Sequence, residues 1–284
     1  MTSEAVSIEN LLAEARRRLG AGPGAALEAD LLLSHVLNVG RAWLFANRDQ
    51  RVLPSKQRLF TDLVARRLAG EPIAYLVGER EFWSLPIQVT PDVLIPRPET
   101  ELLVETALAF IPVGAAWRVA DLGTGSGAIA LAIACERPSC EVHATELSEA
   151  ALAVAARNVE AIAPGRVRLH RGSWLEPLQG RFRVIVANPP YVAAADPHLA
   201  AGDCRFEPSA ALTPGPDGLA AIRRIAQDAL PCLEPGGLLA FEHGYDQATA
   251  VRAVLEELGY EEIETRHDLE GRDRVTCGRK FENS

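Results

Sequence analysis

The sequence predicts an α/β protein: a seven-stranded, mostly parallel sheet with helices on both faces, plus a small N-terminal helical bundle. Three observations carry this reading. The chain as far as Tyr75 places apolar residues at helical spacing, and from Arg118 onward short apolar runs alternate with helical patterns. The last two runs are joined only by Leu269-Glu270-Gly271, too short for a parallel crossover, so the final strand is expected to run antiparallel. With 284 residues, 48% of them apolar and 24% charged, the chain is long enough for two folded domains.

In chain order, Ser7 is a candidate N-cap for a helix carrying Ile8, Leu11, Leu12, Ala15 and Leu19 and stopping at Gly20. A second helix carries Leu27, Leu31, Leu32 and Val36 and ends near Gly40; a short piece holds Trp43, Leu44 and Phe45. A longer helix starts near Pro54-Ser55, carries Leu59, Leu63, Val64 and Leu68, and stops at Gly70. Phe82, Leu85, Ile87 and Val89 then alternate as in a hairpin, which we read as a connector. Pro98 fits the first turn of a helix whose early residues are acidic. Strands are expected at 118–121, 141–146, 167–171, 182–187, 237–241, 262–267 and 272–277, with helices near 127–136, 148–161, 217–230 and 247–258.

Twenty-nine basic residues face 38 acidic ones, a net charge of −9, which makes duplex nucleic acid a poor default partner while leaving room for a local basic patch. The five cysteines are odd in number and lack C-x-x-C spacing, which argues against a disulfide framework and against zinc. No basic-then-apolar leader opens the chain at Met1-Thr2-Ser3-Glu4, and no apolar run is long enough to span a bilayer, so a cytoplasmic protein without a membrane partner is expected.

The first strand of the sheet ends in Asp121-Leu122-Gly123-Thr124-Gly125-Ser126-Gly127-Ala128. A strand, a glycine turn and a helix bring backbone N–H groups close to a ligand, because hydrogen is the only side chain that does not block the approach. Glu146 ends the second strand, where a carboxylate can accept from both hydroxyls of a ribose. Loop and acid together indicate a nucleoside-containing cofactor and do not separate a nicotinamide from S-adenosylmethionine.

The fourth strand runs into Asn188-Pro189-Pro190-Tyr191, at the same sheet edge as the glycine loop. The Asn188 side-chain carbonyl and the Pro189 backbone carbonyl are two acceptors on a stiff backbone, able to grip both hydrogens of an –NH2 group. Tyr191 offers a flat ring to a planar amide or base. Such a grip aims the nitrogen at its electrophile, and a sulfonium methyl needs neither a metal nor a covalent enzyme intermediate. A plain Pro-Pro turn would explain Pro189-Pro190 alone, but not Asn188 and Tyr191 at this strand end.

Asp121–Gly127 with Asn188–Tyr191 resembles the class I, Rossmann-like S-adenosylmethionine-dependent methyltransferases that modify planar –NH2 groups. Gly70-Glu71-Pro72-Ile73-Ala74-Tyr75, Phe82-Trp83, Leu94–Glu101 and Asn188–Tyr191 together resemble the peptide chain release factor glutamine methyltransferases, as far as Gly278. The resemblance implies a docking domain over 1–78, a hairpin linker over 79–97 and a methyltransferase domain over 98–284. It implies S-adenosylmethionine as cofactor. Gly123, Thr124, Gly125, Ser126 and Gly127 would line its methionine moiety, Asp121 would support the loop, Glu146 would hold the ribose and Trp174 would lie beside the adenine. Thr100 would approach the cofactor's carboxylate. Asn188 would touch cofactor and target, with Pro189, Pro190 and Tyr191 completing the substrate grip.

The implied reaction is methylation of the side-chain nitrogen (N5) of the glutamine in the Gly-Gly-Gln motif of class I release factors, by a monomer with no metal and no direct nucleic-acid contact. Plain alternatives stay open for Trp174 (core) and Thr100 (a first-turn polar residue). Arg97 is open between an acid of the cofactor loop and the release factor, and a satisfied strand-end role is the reading for His243. Competing activities are methylation of a ribosomal-protein glutamine, adenine N6-methylation in nucleic acid, a nicotinamide oxidoreductase and a non-catalytic adaptor. The acidic balance disfavours the nucleic-acid activity, and Asn188–Tyr191 has no role in the oxidoreductase.

Overall fold

The computed structural model describes residues 6–20, 22–192, 202–213 and 218–281. The chain start, including Met1–Glu4, and the first residue of the helix expected from 217 lie outside them. The chain forms two compact units, Met1–Glu79 and Arg80–Ser284.

The first unit holds β1 (Val6–Ser7), α1 (Ile8–Leu19), α2 (Pro23–Leu37), α3 (Arg41–Ala46), β2 (Arg51–Val52), α4 (Pro54–Leu68) and α5 (Ile73–Val77). Ser7 caps α1 through its hydroxyl, which accepts from Asn10 N–H at 3.3 Å, and Gly20 ends the helix. Ile8, Leu12, Leu32, Leu33, Leu44, Phe60, Leu63 and Val64 meet in one core. The buried stripe is rotated from the expected one on α2 and α4. Leu27, Leu59 and Leu68 are exposed, while Ala25, Ala29, Leu33 and Phe60 face inward. Both helices carry apolar residues on more than one face, so spacing alone did not choose among them. α5 and the two-residue pairing of β1 with β2 (Val6 opposite Val52) had no signal strong enough to anticipate.

All but the first residue of the hairpin β3 (Glu79–Phe82) and β4 (Leu85–Gln88) belongs to the second unit. Its turn is Trp83-Ser84, both with positive φ (54° and 58°). Glycine or asparagine normally fills such positions, and here hydrogen bonds offset the backbone strain. Trp83 N–H donates to Glu101 Oε1 at 2.8 Å and its indole N–H to Glu136 Oε1 at 2.9 Å. A 3-10 turn at Pro98–Thr100 leads into α6 (Glu101–Phe110).

Then follow β5 (Arg118–Leu122), α7 (Ala128–Glu136), β6 (Glu141–Glu146), α8 (Glu149–Ile162), β7 (Val167–Arg171) and β8 (Phe182–Ala187). After a 3-10 turn at Gly202–Phe206 come α9 (Ser209–Leu212), α10 (Ala220–Cys232), β9 (Leu233–Glu242), α11 (Ala248–Glu257), β10 (Glu261–His267) and β11 (Asp273–Arg279). The strands form one seven-stranded sheet in the order β10-β11-β9-β8-β5-β6-β7. β7, β6, β5, β8 and β9 are parallel, whereas β11 is antiparallel to both β9 and β10. The expected fold class holds, including the reversed last strand. Every residue of α7 from Ala128 to Ala134 is buried, as is typical of a helix covered on all sides.

Strand order reverses direction between β5 and β8, where Leu122 pairs with Ala187. The glycine loop and Asn188 therefore leave the sheet side by side at its carboxyl edge, the place where open α/β sheets bind ligands. One fully buried residue, Asn158 of α8, braces this region. Its Oδ1 accepts from Gln88 N–H at 2.8 Å, and its Nδ2 donates to Gln88 O at 2.9 Å and Ser126 O at 2.8 Å. Replacing Asn158 by Ala strands these partners, each worth about 1–3 kcal/mol when left unpaired. We expect Asn158→Ala to lose at least about 2 kcal/mol in urea unfolding; an unchanged midpoint would show the brace to be idle.

Candidate active site

A cavity of 440 Å³ opens at the junction of β5 and β8, within the usual size of a small-molecule site. Its wall contains Thr100, Gly123, Thr124, Gly125, Ser126, Glu146, Trp174, Asn188 and Pro190. Asp121 and Pro189 are buried, and neither they nor Gly127 and Tyr191 belong to the wall. Leu94 and Pro96, from the Leu94–Glu101 segment, also line it, whereas Leu147 after β6 and Pro208, Ala210 and Ala211 around α9 were not anticipated from the sequence. A lone leucine, a proline and two alanines carry no chemical signature, so no motif marked these four.

Most of the glycine loop's N–H groups are committed inside the protein. Those of Gly123 and Thr124 donate to Thr145 O, each at 2.9 Å, and that of Gly127 to Thr124 O at 2.8 Å. Gly125 N–H donates to Glu146 Oε2 at 3.0 Å, while Ser148 N–H donates to Oε1 at 2.9 Å. The loop thus extends the β5–β6 ladder and fixes the Glu146 carboxylate, which keeps acceptor capacity for a ligand because a carboxylate offers about four sites. Gly123 has φ 71°, and a Cβ there would lie 2.8 Å from Trp174 Cζ3. Trp174 both lines the cavity and packs on the main core.

Asp121 holds the loop from beneath. Its Oδ2 accepts from the Thr124 hydroxyl at 2.6 Å and from Ala130 N–H at 3.2 Å, and its buried Oδ1 has no partner among the described residues. Burial pushes its carboxyl up to about 7, against the opposing pull of the Thr124 and Ala130 hydrogen bonds.

Asn188 donates from Nδ2 to Thr100 Oγ1 at 3.3 Å. Nδ2 being occupied, Oδ1 is the atom left to accept from a substrate. Tyr191 is held at both ends. Its hydroxyl donates to Glu242 Oε1 at 3.1 Å, and its carbonyl accepts from Gln247 Nε2 at 3.0 Å. A Cβ at Gly218 would lie 2.4 Å from that same carbonyl, so glycine alone fits. Val192 N–H donates to Leu212 O at 2.9 Å, tying the strand end to α9.

Arg97 pairs with Glu207, whose side chain is fully buried and whose Oε1 also accepts from Ile95 N–H at 3.1 Å. His243 is buried with both ring nitrogens engaged, by Gly244 O and by Thr276 Oγ1, each at 2.8 Å. Burial holds its pKa below the usual imidazole value.

A strand–glycine-loop–helix, an acid closing the next strand, and an Asn-Pro-Pro-Tyr turn at the strand beyond the switch point define a Rossmann-like methyltransferase. Residues 10–78 match the family model of the PrmC N-terminal domain, and residues 98–215 that of the methyltransferase small domain. Two curated relatives are release factor glutamine methyltransferases. The one from Bordetella pertussis is 54% identical over 261 residues (91% of this chain, 96% of that one). The one from Salmonella typhimurium is 48% identical over 275 residues (96% and 99%). A methyltransferase structure from Pyrococcus furiosus superposes with a TM-score of 0.56 at 21% identity, covering 78% of this chain and 99% of that one, and shares the fold. The chain belongs to the release factor glutamine methyltransferases.

The raised Asp121 value has a defined sign. The folded state binds this proton more tightly than the unfolded chain, whose Asp titrates near ~4. The Asp121 contribution therefore favours folding at low pH and is lost as pH rises through about 7. Urea unfolding across that window should show a stability decline that Asp121→Asn flattens; identical slopes in both proteins would refute the assignment. Gly123→Ala should lower stability by about 1–3 kcal/mol in the same assay, through its positive φ and its collision with Trp174.

Proposed function

We propose that this protein transfers the methyl group of S-adenosylmethionine to the side-chain nitrogen (N5) of the glutamine in the Gly-Gly-Gln motif of class I release factors. One observation carries the reading. Asn188 stands on the cavity wall beside the glycine loop with Nδ2 committed to Thr100, which leaves its carbonyl oxygen to receive an –NH2 group.

The residues present fit the cofactor. Glu146 offers free acceptor sites to a ribose diol, and Leu147, 67% exposed on the cavity wall, gives apolar surface that a bound base would cover, with Trp174 further along the wall. Thr100, Thr124 and Ser126 supply the polar side for the methionine moiety. When bound, S-adenosylmethionine supplies a methyl carbon already activated by its sulfonium.

The rest of the chemistry falls to the protein. An amide nitrogen is a weak nucleophile because its lone pair is delocalised into the carbonyl. Asn188 Oδ1 and the Pro189 carbonyl grip the two amide hydrogens and aim the lone pair along the line of displacement. Holding reactants in near-attack geometry can supply roughly 7–11 kcal/mol in favourable models. The same two hydrogen bonds strengthen as positive charge grows on the nitrogen. Tyr191, anchored by Glu242 and Gln247, bounds the plane of the amide. The extra proton becomes acidic once the new bond forms and leaves to solvent, so no strong base is needed. We assign docking of the release factor to the N-terminal unit, which exposes Phe45 and Leu53.

Mass spectrometry of release factor incubated with enzyme and cofactor should show a gain of one methyl on the Gly-Gly-Gln glutamine. Asn188→Ala should cut the rate by at least about 10²-fold with the fold intact by circular dichroism. Methyl transfer only to a ribosomal protein or only to DNA would replace the assigned substrate, and wild-type rates in the variant would remove Asn188 from the mechanism.

A further inference from the structure

Two stretches of the cavity wall have little regular structure of their own. Leu94, Pro96 and Arg97 belong to one, and Pro208, Ala210 and Ala211 to the other. Residues 94–97 form neither helix nor strand, and Pro96 lacks the N–H that a ladder would use. α9 is a single turn of four residues whose N-cap, Pro208, makes no side-chain capping bond, and a helix that short does not hold itself in water.

One side chain joins the two. Glu207 directly precedes Pro208, and its side chain is fully buried. Its Oε1 accepts from Ile95 N–H at 3.1 Å and its Oε2 from Arg97 Nη2 at 2.5 Å. One oxygen thus grips the backbone of the opposite stretch and the other its guanidinium, with the wall residue Pro96 fixed between them. The far end of α9 is tied separately, through Leu212 O, to Val192 N–H at 2.9 Å. Burying a carboxylate is costly unless it is well paired, and here both oxygens are spent on holding one side of the cavity to another.

We infer that Glu207 is a positioning residue for cofactor binding: by fastening α9 to the 94–97 stretch it holds the cavity at the width that S-adenosylmethionine needs. The inference rests on the cofactor assigned above. Glu207 touches no reacting atom, so its effect falls on affinity. When the staple is open, the binding-competent form is a fraction of the population, and apparent affinity drops by that fraction. Glu207→Gln keeps the volume but has one acceptor oxygen where two are used. Arg97→Met removes the guanidinium arm and leaves Glu207 in place.

In calorimetric titration with S-adenosylmethionine, each variant should bind at least about ten-fold more weakly. The double variant should be no weaker than the worse single one, because both changes open one staple. In methyl-transfer kinetics, KM for S-adenosylmethionine should rise by more than kcat falls. Without any ligand, the buried Ile95 N–H exchanges with solvent only when the staple opens, so its hydrogen exchange should speed up in both variants. Wild-type affinity in Glu207→Gln overturns the inference, as does a fall in kcat with KM unmoved. Losses that multiply in the double variant overturn it too, because Arg97 would then act on the ligand by itself. Should Glu207→Gln fail to fold, Arg97→Met decides: weaker binding with faster Ile95 exchange supports the staple, and weaker binding with wild-type exchange overturns it. A wild-type enzyme that does not bind S-adenosylmethionine counts against the assigned cofactor instead, and Ile95 exchange still judges whether Glu207 fastens the two stretches.

Discussion

The pairing of β5 with β8 is the constraint on which the site depends. Leu122 and Ala187 are partners in a parallel ladder, and a parallel ladder sends both chains out of the sheet at the same edge. Gly123 and Asn188 follow immediately, so two segments more than sixty positions apart in sequence become neighbours without any loop having to reach. Everything else at the site adjusts to that fact. β6 extends the ladder far enough for Thr145 and Glu146 to take the loop's N–H groups. α9 and the Pro96–Arg97 segment then close the remaining sides.

The same edge concentrates buried acids. Asp121, Glu207 and Glu242 lie at or behind the cavity, and burial raises the pKa of each. None is an independent source of stability, because removing a carboxylate from water costs more than a typical hydrogen bond returns. What each provides is direction. Asp121 orients the Thr124 hydroxyl and the first turn of α7, Glu207 joins Arg97 to the backbone at Ile95, and Glu242 receives Tyr191. Much of the cavity wall is glycine, alanine and proline, with Trp174, Leu94, Leu147 and Ile129 supplying its bulk. Buried carboxyls with fixed hydrogen-bond partners hold the surrounding backbone from behind.

Much of this was legible in the sequence because local chemistry and global topology agree. The alternation after Arg118 predicted the sheet, and the short turn at 269–271 predicted its reversed strand. Glycine, acid and Asn-Pro-Pro-Tyr at successive strand ends indicated one site, and the cavity brings most of them together. What escaped was carried by long-range contacts. Asn158 looks like any polar residue on an amphipathic helix until Gln88 and Ser126 arrive from elsewhere. The hairpin at Phe82–Val89 was legible, but not that its Trp83-Ser84 turn is held by Glu101 and Glu136. Glu207 follows a segment with no periodic pattern, so its pairing with Arg97, 110 positions away, could not be anticipated. In the helical unit the error was one of phase, since an excess of leucines concealed which stripe faces the core.

The sheet also has a history written into its order. β11 is the last strand in the sequence but lies between β9 and β10. During synthesis β9 therefore emerges with its outer edge unpaired, and β10 has no seat until the strand that separates them has been made. Domains often begin to fold while still being translated, and unpaired strand edges invite misassembly. In this chain the sheet is complete only once residues 273–279 lie between β9 and β10. Loss of residues 273–279 would thus not trim an edge; it would remove the strand that connects β10 to the sheet.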